Sequence, residues 1–374
     1  MPQQALIKKN ISVLAVTDYI HGMTNIVDYT GSYLYTFRQK GFNELDALAL
    51  SYLSYFRFPS RFTALRSNEG MKLRDLNLAE HYEMYFSGTF DAKSSKELFR
   101  NMTSSPRYRD VTVKYVTEKL DEAREKQFAA LCFELVPGTL AVSFRGTDAS
   151  FTGWKEDFNM SFTFPVPSQK EAKKYLEKVA GDSDRIYVMG HSKGGNLAVY
   201  AAMMAREDVK ARIKRIYSLD GPGFPEEALK SREFRSILAR LVKIVPQSSI
   251  IGLLLKNPDR LKIVKSSSLS LFQHDPYTWV VEENSFKEAS KLSSEALKFN
   301  RKIDAALSTM ESEERRMFVD TLFEIVCSTG AADTDDFFKH LPKTLPSSLL
   351  AYSRLSDEKK DLMKQAFSAM RTLK

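Results

Sequence analysis

The chain is poor in the residues that would commit it to a metal, a disulfide framework or a membrane core. It has two cysteines among 374 residues. Cys132 and Cys327 lie far apart, each in an apolar run, and read as buried free thiols rather than as a disulfide or a zinc site. Five histidines are widely scattered, and none belongs to a metal-binding pattern such as H-E-x-x-H. Long apolar runs are also missing. The most apolar late stretch, Ile237 to Leu255, is interrupted by Arg240, Lys243, Pro246, Gln247 and two serines, too polar to cross a bilayer comfortably. The start, MPQQALIKKNISVLAV, holds two lysines but no long apolar core ending in a small-residue cleavage site. No secretory signal is expected, and a cytoplasmic location follows. Internal repeats and low-complexity segments are absent too.

What is present is ordinary globular composition, 43% hydrophobic and 27% charged, long enough for one large core and an appendage. The net charge is +8. The basic residues are dispersed among acids, as in EAKKYLEK, and form no stripe interleaved with aromatics. A nucleic-acid partner is therefore not expected. Weak attraction to an anionic membrane surface or substrate is the most that this charge supports.

The most informative run is RIYVMGHSKGGNLAVYAAM, Arg185 to Met203. Ile186 to Met189 has the composition of a buried strand, and Asn196 to Met204 that of a small-residue helix. Between them Gly190-His191-Ser192-Lys193-Gly194 forms a G-x-S-x-G turn. A lone G-x-S-x-G reads first as a glycine-rich turn. A strand before it and a helix after it make Ser192 a nucleophile for acyl transfer. The Lys193 N–H, at the positive end of the helix dipole, is then a donor to an oxyanion.

Around this run, Asn43 to Phe56 has helical apolar spacing, and Phe128 to Phe144 reads as a β-hairpin turning at Pro137-Gly138. Ser168 to Ala180 reads as an amphipathic helix. Ile213 to Leu219 reads as a strand ending at Asp220-Gly221-Pro222-Gly223. A hairpin followed by alternating helices and strands predicts a mixed sheet with helices on its faces. From Phe286 onward helical spacing dominates, broken at Gly330, Pro342 and Pro346, which predicts a helical appendage. The expected division is residues 1–284 and 285–374.

A serine nucleophile needs a base and an acid. His191 sits on the elbow itself, where its ring cannot easily turn back to its neighbour. His274, in SLFQHDPYTW, is the better base, and its late position fits the order nucleophile, acid, histidine. Asp220, at the C-terminal end of the strand after the nucleophile helix, is the first candidate for the acid. Asp259, in KNPDRL, is the alternative, while Asp275 is adjacent to His274 and badly placed. The second oxyanion donor should follow an earlier strand. Arg145-Gly146-Thr147, after LAVSF, offers the Thr147 N–H, with or without its Oγ. Arg145 reads as a structural ion pair, and Trp154, Glu156 and Asp157 as residues that fix the loop.

Phe144 to Thr147 (FRGT), then GW with an acidic pair, then GHSKGG, resembles the class 3 lipase branch of the α/β-hydrolases. The match is closer to a bacterial subgroup of that branch with FNELDALALSYLSY-like, RGTD…GWKEDFNMSF, GHSKGGNLA, DGPGF and QHDPYxW segments, and it covers most of the chain. The resemblance implies an α/β-hydrolase fold with N-terminal helices, Ser192 as nucleophile, His274 as base and Thr147 at the oxyanion hole. Two departures stand out. Lys193 replaces the usual leucine. Lys243 stands where an aspartate usually precedes Ile/Val-Val-Pro, so Asp220 is the natural substitute.

Two functions are compatible with these residues. One is a serine hydrolase of carboxylic esters, lipid or other acyl esters first, with no metal or organic cofactor and a small-molecule acyl ester as its partner. Thioesters and amides use the same machinery. Leu238 to Leu255 would serve such an enzyme as an acyl-binding wall or lid, or else as core. The other is a hydrolase-fold protein, weak or inactive, that binds a lipid or a protein.

Overall fold

The computed structural model describes residues 24–123, 125–148, 150–181, 183–308, 310–329 and 341–372. Its centre is one eight-stranded sheet whose spatial order follows the chain. The strands are β1 (Met71–Lys72), β2 (Thr112–Asp121), β3 (Lys126–Val136), β4 (Thr139–Phe144), β5 (Arg185–His191), β6 (Ile213–Leu219), β7 (Leu241–Pro246) and β8 (Lys262–Val264). The first four pair antiparallel and β4 to β8 pair parallel. The β3–β4 hairpin turns at Pro137-Gly138, where Gly138 takes φ +78°. Helices Pro167–Val179 and Lys193–Met204 make crossovers between the parallel strands.

Strand alternation sends side chains to two separate cores. On β4, Leu140, Val142 and Phe144 meet the crossover helices through Leu176, Leu197 and Ala201. Ala141 points to the other face, where the N-terminal helices pack through Leu45, Leu48 and Tyr52. Helix Glu44–Leu53 starts at Asn43 with a capping box closed by Asp46.

That capping aspartate has a second role. Asp46 and Arg107 form an ion pair with both side chains fully buried, Arg107 Nη2 to Asp46 Oδ2 at 2.5 Å. Arg107 Nε donates to Oδ1 at 2.6 Å and the Tyr108 hydroxyl to the same oxygen at 2.7 Å. The remaining guanidinium hydrogens reach the carbonyls of Tyr35, Lys40 and Gly41. Two buried charges are tolerable because every polar atom is paired. The pair fastens the N-terminal helix to the segment entering β2.

C-terminal to the sheet, helices Ser294–Ser308, Ser312–Cys327, Leu341–Ser353 and Asp357–Thr372 follow. Helix Ser312–Cys327 lies on helix Phe151–Asn159, through Lys155 Nζ to Asp320 Oδ1 at 2.7 Å and a Phe158–Phe323 ring contact. Three expectations need correction or bounding. Cys132 is buried, but Cys327 is exposed, at the last position of a helix whose buried residues are Val319, Thr321, Phe323 and Ile325. Pro346 does not separate helices; it is held inside helix Leu341–Ser353. Pro342 is the second residue of that helix, and the residues before Leu341 lie outside the described ones. Gly330 lies outside the described residues. No described helix is long and apolar enough to cross a membrane.

Removing one partner of the Asp46–Arg107 pair strands a buried charge. Asp46→Ala is expected to lower unfolding free energy by about 3–5 kcal/mol in urea titration, whereas the double change Asp46→Leu with Arg107→Met costs clearly less. Equal losses in the two variants would contradict the assignment.

Candidate active site

The carboxyl ends of β4, β5, β6 and β7 open onto one region. At the end of β5 the chain turns into helix Lys193–Met204 within a single residue, Ser192, at φ +59° and ψ −134°. Side chains other than glycine hold such a conformation only under strain of about 1–3 kcal/mol. Surrounding bonds impose it: Ser192 N donates to Leu219 O at 2.9 Å, and Gly195 N to Ser192 O at 2.8 Å. The approach is too close for side chains. A Cβ on Gly190 would stand 2.2 Å from the Gly194 carbonyl, and one on Gly194 would stand 2.1 Å from Phe144 O. The helix begins at Lys193, earlier than its apolar residues suggest, so the Lys193 N–H is a first-turn donor with no helical carbonyl to meet.

The loop after β4 packs directly on this elbow. A Cβ on Gly146 would lie 3.0 Å from Ser192 Cβ, so the main chain entering Thr147 borders the serine. The Thr147 hydroxyl donates to Asp157 Oδ2. Its one proton is thereby engaged with Asp157. Arg145 pairs with Glu118 at 2.5 Å, a structural contact.

Lys193 does not bring a cation to the serine. Its side chain is buried and turned away, with Nζ donating to Gln127 Oε1 at 2.7 Å, to Gln127 O at 3.1 Å and to Glu156 Oε2 at 3.2 Å. Glu156 also accepts the N–H groups of Gln127 and Ser168. A buried ion pair thus joins the elbow to helix Phe151–Asn159, which carries Asp157. The Trp154 side chain lies outside the described residues.

Asp220 and His274 meet. His274 Nδ1 lies 2.6 Å from Asp220 Oδ2. With Nδ1–H directed at the carboxylate, Nε2 is the ring's free acceptor. Asp220 is fully buried at φ +49°, a left-handed position that aspartate tolerates better than most residues. Asp259 lies exposed in the bend before β8. Asp275 caps the turn after His274 by accepting the Tyr277 N–H at 3.0 Å.

One partner of Asp220 was not legible beforehand. Ser249, in the turn after β7, donates to Asp220 Oδ1 at 2.5 Å. Lys243 does not take an acid's position in space. The register sets it opposite Ser218 inside β7, below the level of Asp220. Its Nζ donates to Gly221 O at 2.5 Å. Burial pushes this ammonium down to about 7, against the opposing pull of Asp220. The apolar stretch Leu238 to Leu255 mostly builds core through Ile244 and Val245, and its turn backs the acid through Ser249 and Gly252.

His191 has both ring nitrogens occupied. Nε2 faces His274 O at 2.9 Å and Nδ1 faces the Tyr55 hydroxyl at 3.1 Å. Burial, and then the neighbouring His274, hold its pKa well below the usual imidazole value.

A mixed sheet parallel from β4 to β8, a strained serine between strand and helix, and an aspartate–histidine pair on the following loops define a lipase-like α/β-hydrolase fold. The chain belongs to the Mbeg1-like family, whose model matches residues 102–324. A search of curated proteins found no match. Among solved structures it is similar to that of M37 lipase, with 14% identity, a TM-score of 0.33, and coverage of 55% of this chain and 67% of that one.

Asp157 carries the clearest electrostatic signature near Thr147. Burial raises its carboxyl to about 6, outweighing Lys193 and the Thr147 hydroxyl. A carboxyl raised on folding favours the native state most below its ordinary value, and that advantage is lost as pH rises through about 6. Asp157→Asn keeps an acceptor for Thr147 and removes the charge. Relative to the parent it should gain about 1–2 kcal/mol between pH 4 and pH 8 in chemical denaturation, the full shift being discounted for partial exposure. A flat difference across that range would refute the shift.

Proposed function

We propose that the protein is a serine hydrolase of carboxylic esters, acting on a lipid or other acyl ester through an acyl-enzyme. The observation that carries this reading is the 2.6 Å contact between His274 Nδ1 and Asp220 Oδ2, on the same sheet edge as the strained Ser192.

In this reading Ser192 Oγ attacks the ester carbonyl carbon while His274 Nε2 takes its proton. Asp220 keeps the imidazole in the Nδ1–H form and stabilises the imidazolium. Ser249 occupies the carboxylate oxygen that His274 does not use, so the acid cannot swing away. The N–H groups of Lys193 and Thr147 stabilise the oxyanion, where preformed donors act most strongly because water has been displaced. His274 then protonates the departing alcohol. A water attacks the acyl-enzyme with His274 as base, and the acid product leaves as Ser192 recovers its proton. Thioesters fit the same sequence of steps. Asp220 and His274 serve as the triad partners, and Lys193 contributes only its main chain.

The test is covalent labelling by a fluorophosphonate, together with hydrolysis of short-chain p-nitrophenyl esters. The parent protein should label at one site and hydrolyse, and Ser192→Ala should do neither while melting like the parent. His274→Ala should fall to the Ser192→Ala level, because the two act as a unit. Asp220→Asn should lose up to about 10,000-fold in turnover by favouring the wrong tautomer. Asp259→Asn should stay near the parent. A folded parent that never labels would instead mark a hydrolase scaffold that binds a lipid or protein without turning it over.

A further inference from the structure

We infer that Tyr55 and His191 together act as a positioning device for His274, with the Tyr55 hydroxyl tying the oxyanion loop, the nucleophile elbow and the base loop to one point. This rests on the hydrolase reading of Ser192 and His274. Neither Tyr55 nor His191 touches the reacting atoms.

Tyr55 stands just beyond helix Glu44–Leu53, on the face of the sheet covered by the N-terminal helices, and is almost fully buried. It therefore comes from outside the region matched by the family model, residues 102–324. Its oxygen lies between two segments. It faces His191 Nδ1 at 3.1 Å, and the Gly146 main chain packs against it. The fit at Gly146 is tight, since a Cβ there would stand 2.1 Å from the Tyr55 oxygen. One hydroxyl thus meets both the turn that leads to Thr147 and the residue that precedes Ser192.

The chain of bonds has a direction that can be deduced. His274 O is a carbonyl and only accepts, so His191 must carry its proton on Nε2. Nδ1 is then an acceptor, and the Tyr55 O–H must be its donor. Burial keeps the phenol protonated, against the pull of Arg145 and with the support of Asp157 and Asp148. The bond therefore holds His191 in one neutral tautomer. Of the two neutral tautomers, only this one donates to the His274 carbonyl.

The consequence falls on the base. The His274 ring is aimed by Asp220 at Nδ1 and by the His191 bond at its own main chain, with the two imidazole rings 4.6 Å apart at 32°. In the proposed reaction His274 becomes positively charged. A neutral neighbour at that distance tolerates the charge, whereas a protonated His191 would repel it. The groups facing the two imidazoles include Tyr55, Asp220, Asp157, Asp275 and Trp279.

Tyr55→Phe removes one oxygen and nothing else from the packing. It is expected to lower turnover about 10- to 100-fold with KM little changed, since misplacing a catalytic group costs on that scale. The acid limb of its pH–rate profile should also move, because His191 has lost the donor that kept it neutral. His191→Gln keeps an N–H near the Nε2 position and should retain more turnover than His191→Leu. Nitrogen-15 NMR of the histidines in the parent protein provides a second measurement that needs no activity. His191 should show the Nε2–H tautomer and stay neutral through pH 6, and Tyr55→Phe should abolish that pattern.

A Tyr55→Phe protein that melts lower but keeps the parent's turnover and pH profile would overturn the inference. So would a parent whose His191 is of the other tautomer or titrates near the ordinary value. Failure of the parent to label with the fluorophosphonate would sink the hydrolase reading instead, and leaves the NMR result to judge the Tyr55–His191 bond separately.

Discussion

Everything at the sheet edge depends on how closely helix Lys193–Met204 approaches the strands on either side of it. Gly190 and Gly194 touch almost backbone to backbone, and Gly194 lies against the Phe144 carbonyl. Only at that separation does the first turn of the helix place its free N–H beside the end of β4, and only then does Ser192 enter its strained conformation. The main-chain bond from Ser192 to Leu219 locks the elbow to β6, and so to the strand whose next residue is Asp220. Strain at the serine, donors at the helix start and the proximity of the acid are consequences of one packing contact.

A second layer of polar contacts keeps that arrangement from relaxing. Lys193 reaches Gln127 and Glu156, and Glu156 in turn holds Ser168 and β3. Buried charges of this kind stabilise little by themselves, but they tolerate only one geometry, because any other leaves a charge unpaired. The helix they anchor carries Asp157, which holds the Thr147 hydroxyl, and it receives helix Ser312–Cys327 on its outer side. The C-terminal helices therefore reach the sheet edge indirectly, through the element that holds the loop after β4.

How much of this was legible varies with the range of the interaction. The strand read at Ile186 to Met189, the strand Ile213–Leu219, the hairpin at Pro137-Gly138 and the helix read at Ser168 to Ala180 follow from local periodicity and turn chemistry; the first strand runs on to His191, and the helix spans Pro167–Val179. Lys243 was misleading for the opposite reason. A local triplet, Ile244-Val245-Pro246, invited comparison with an acid's position, but only the pairing of β7 with β6 reveals that the lysine lies within the strand and that Ser249 reaches the acid instead. Cys327 and Pro346 misled because apolar surroundings and a helix-breaking residue are weak local signals that packing overrides.

The sequence by itself determined the elbow: a β-branched strand, two glycines bracketing a serine and a small-residue helix leave the backbone one compact path. It also determined which residues were chemically able to act as base and acid. The tertiary structure decided which of them meet. Whether Asp220 or Asp259 reaches His274, which nitrogen of His191 carries the proton, and which way the Lys193 side chain turns all depend on side-chain directions set by strand register and by burial between segments remote in the chain. A phenol from the N-terminal helices comes to rest beside the histidine of the elbow for the same reason. Two hydrophobic faces of one sheet must both be covered, and no local pattern records which residue of the covering layer will land above which loop.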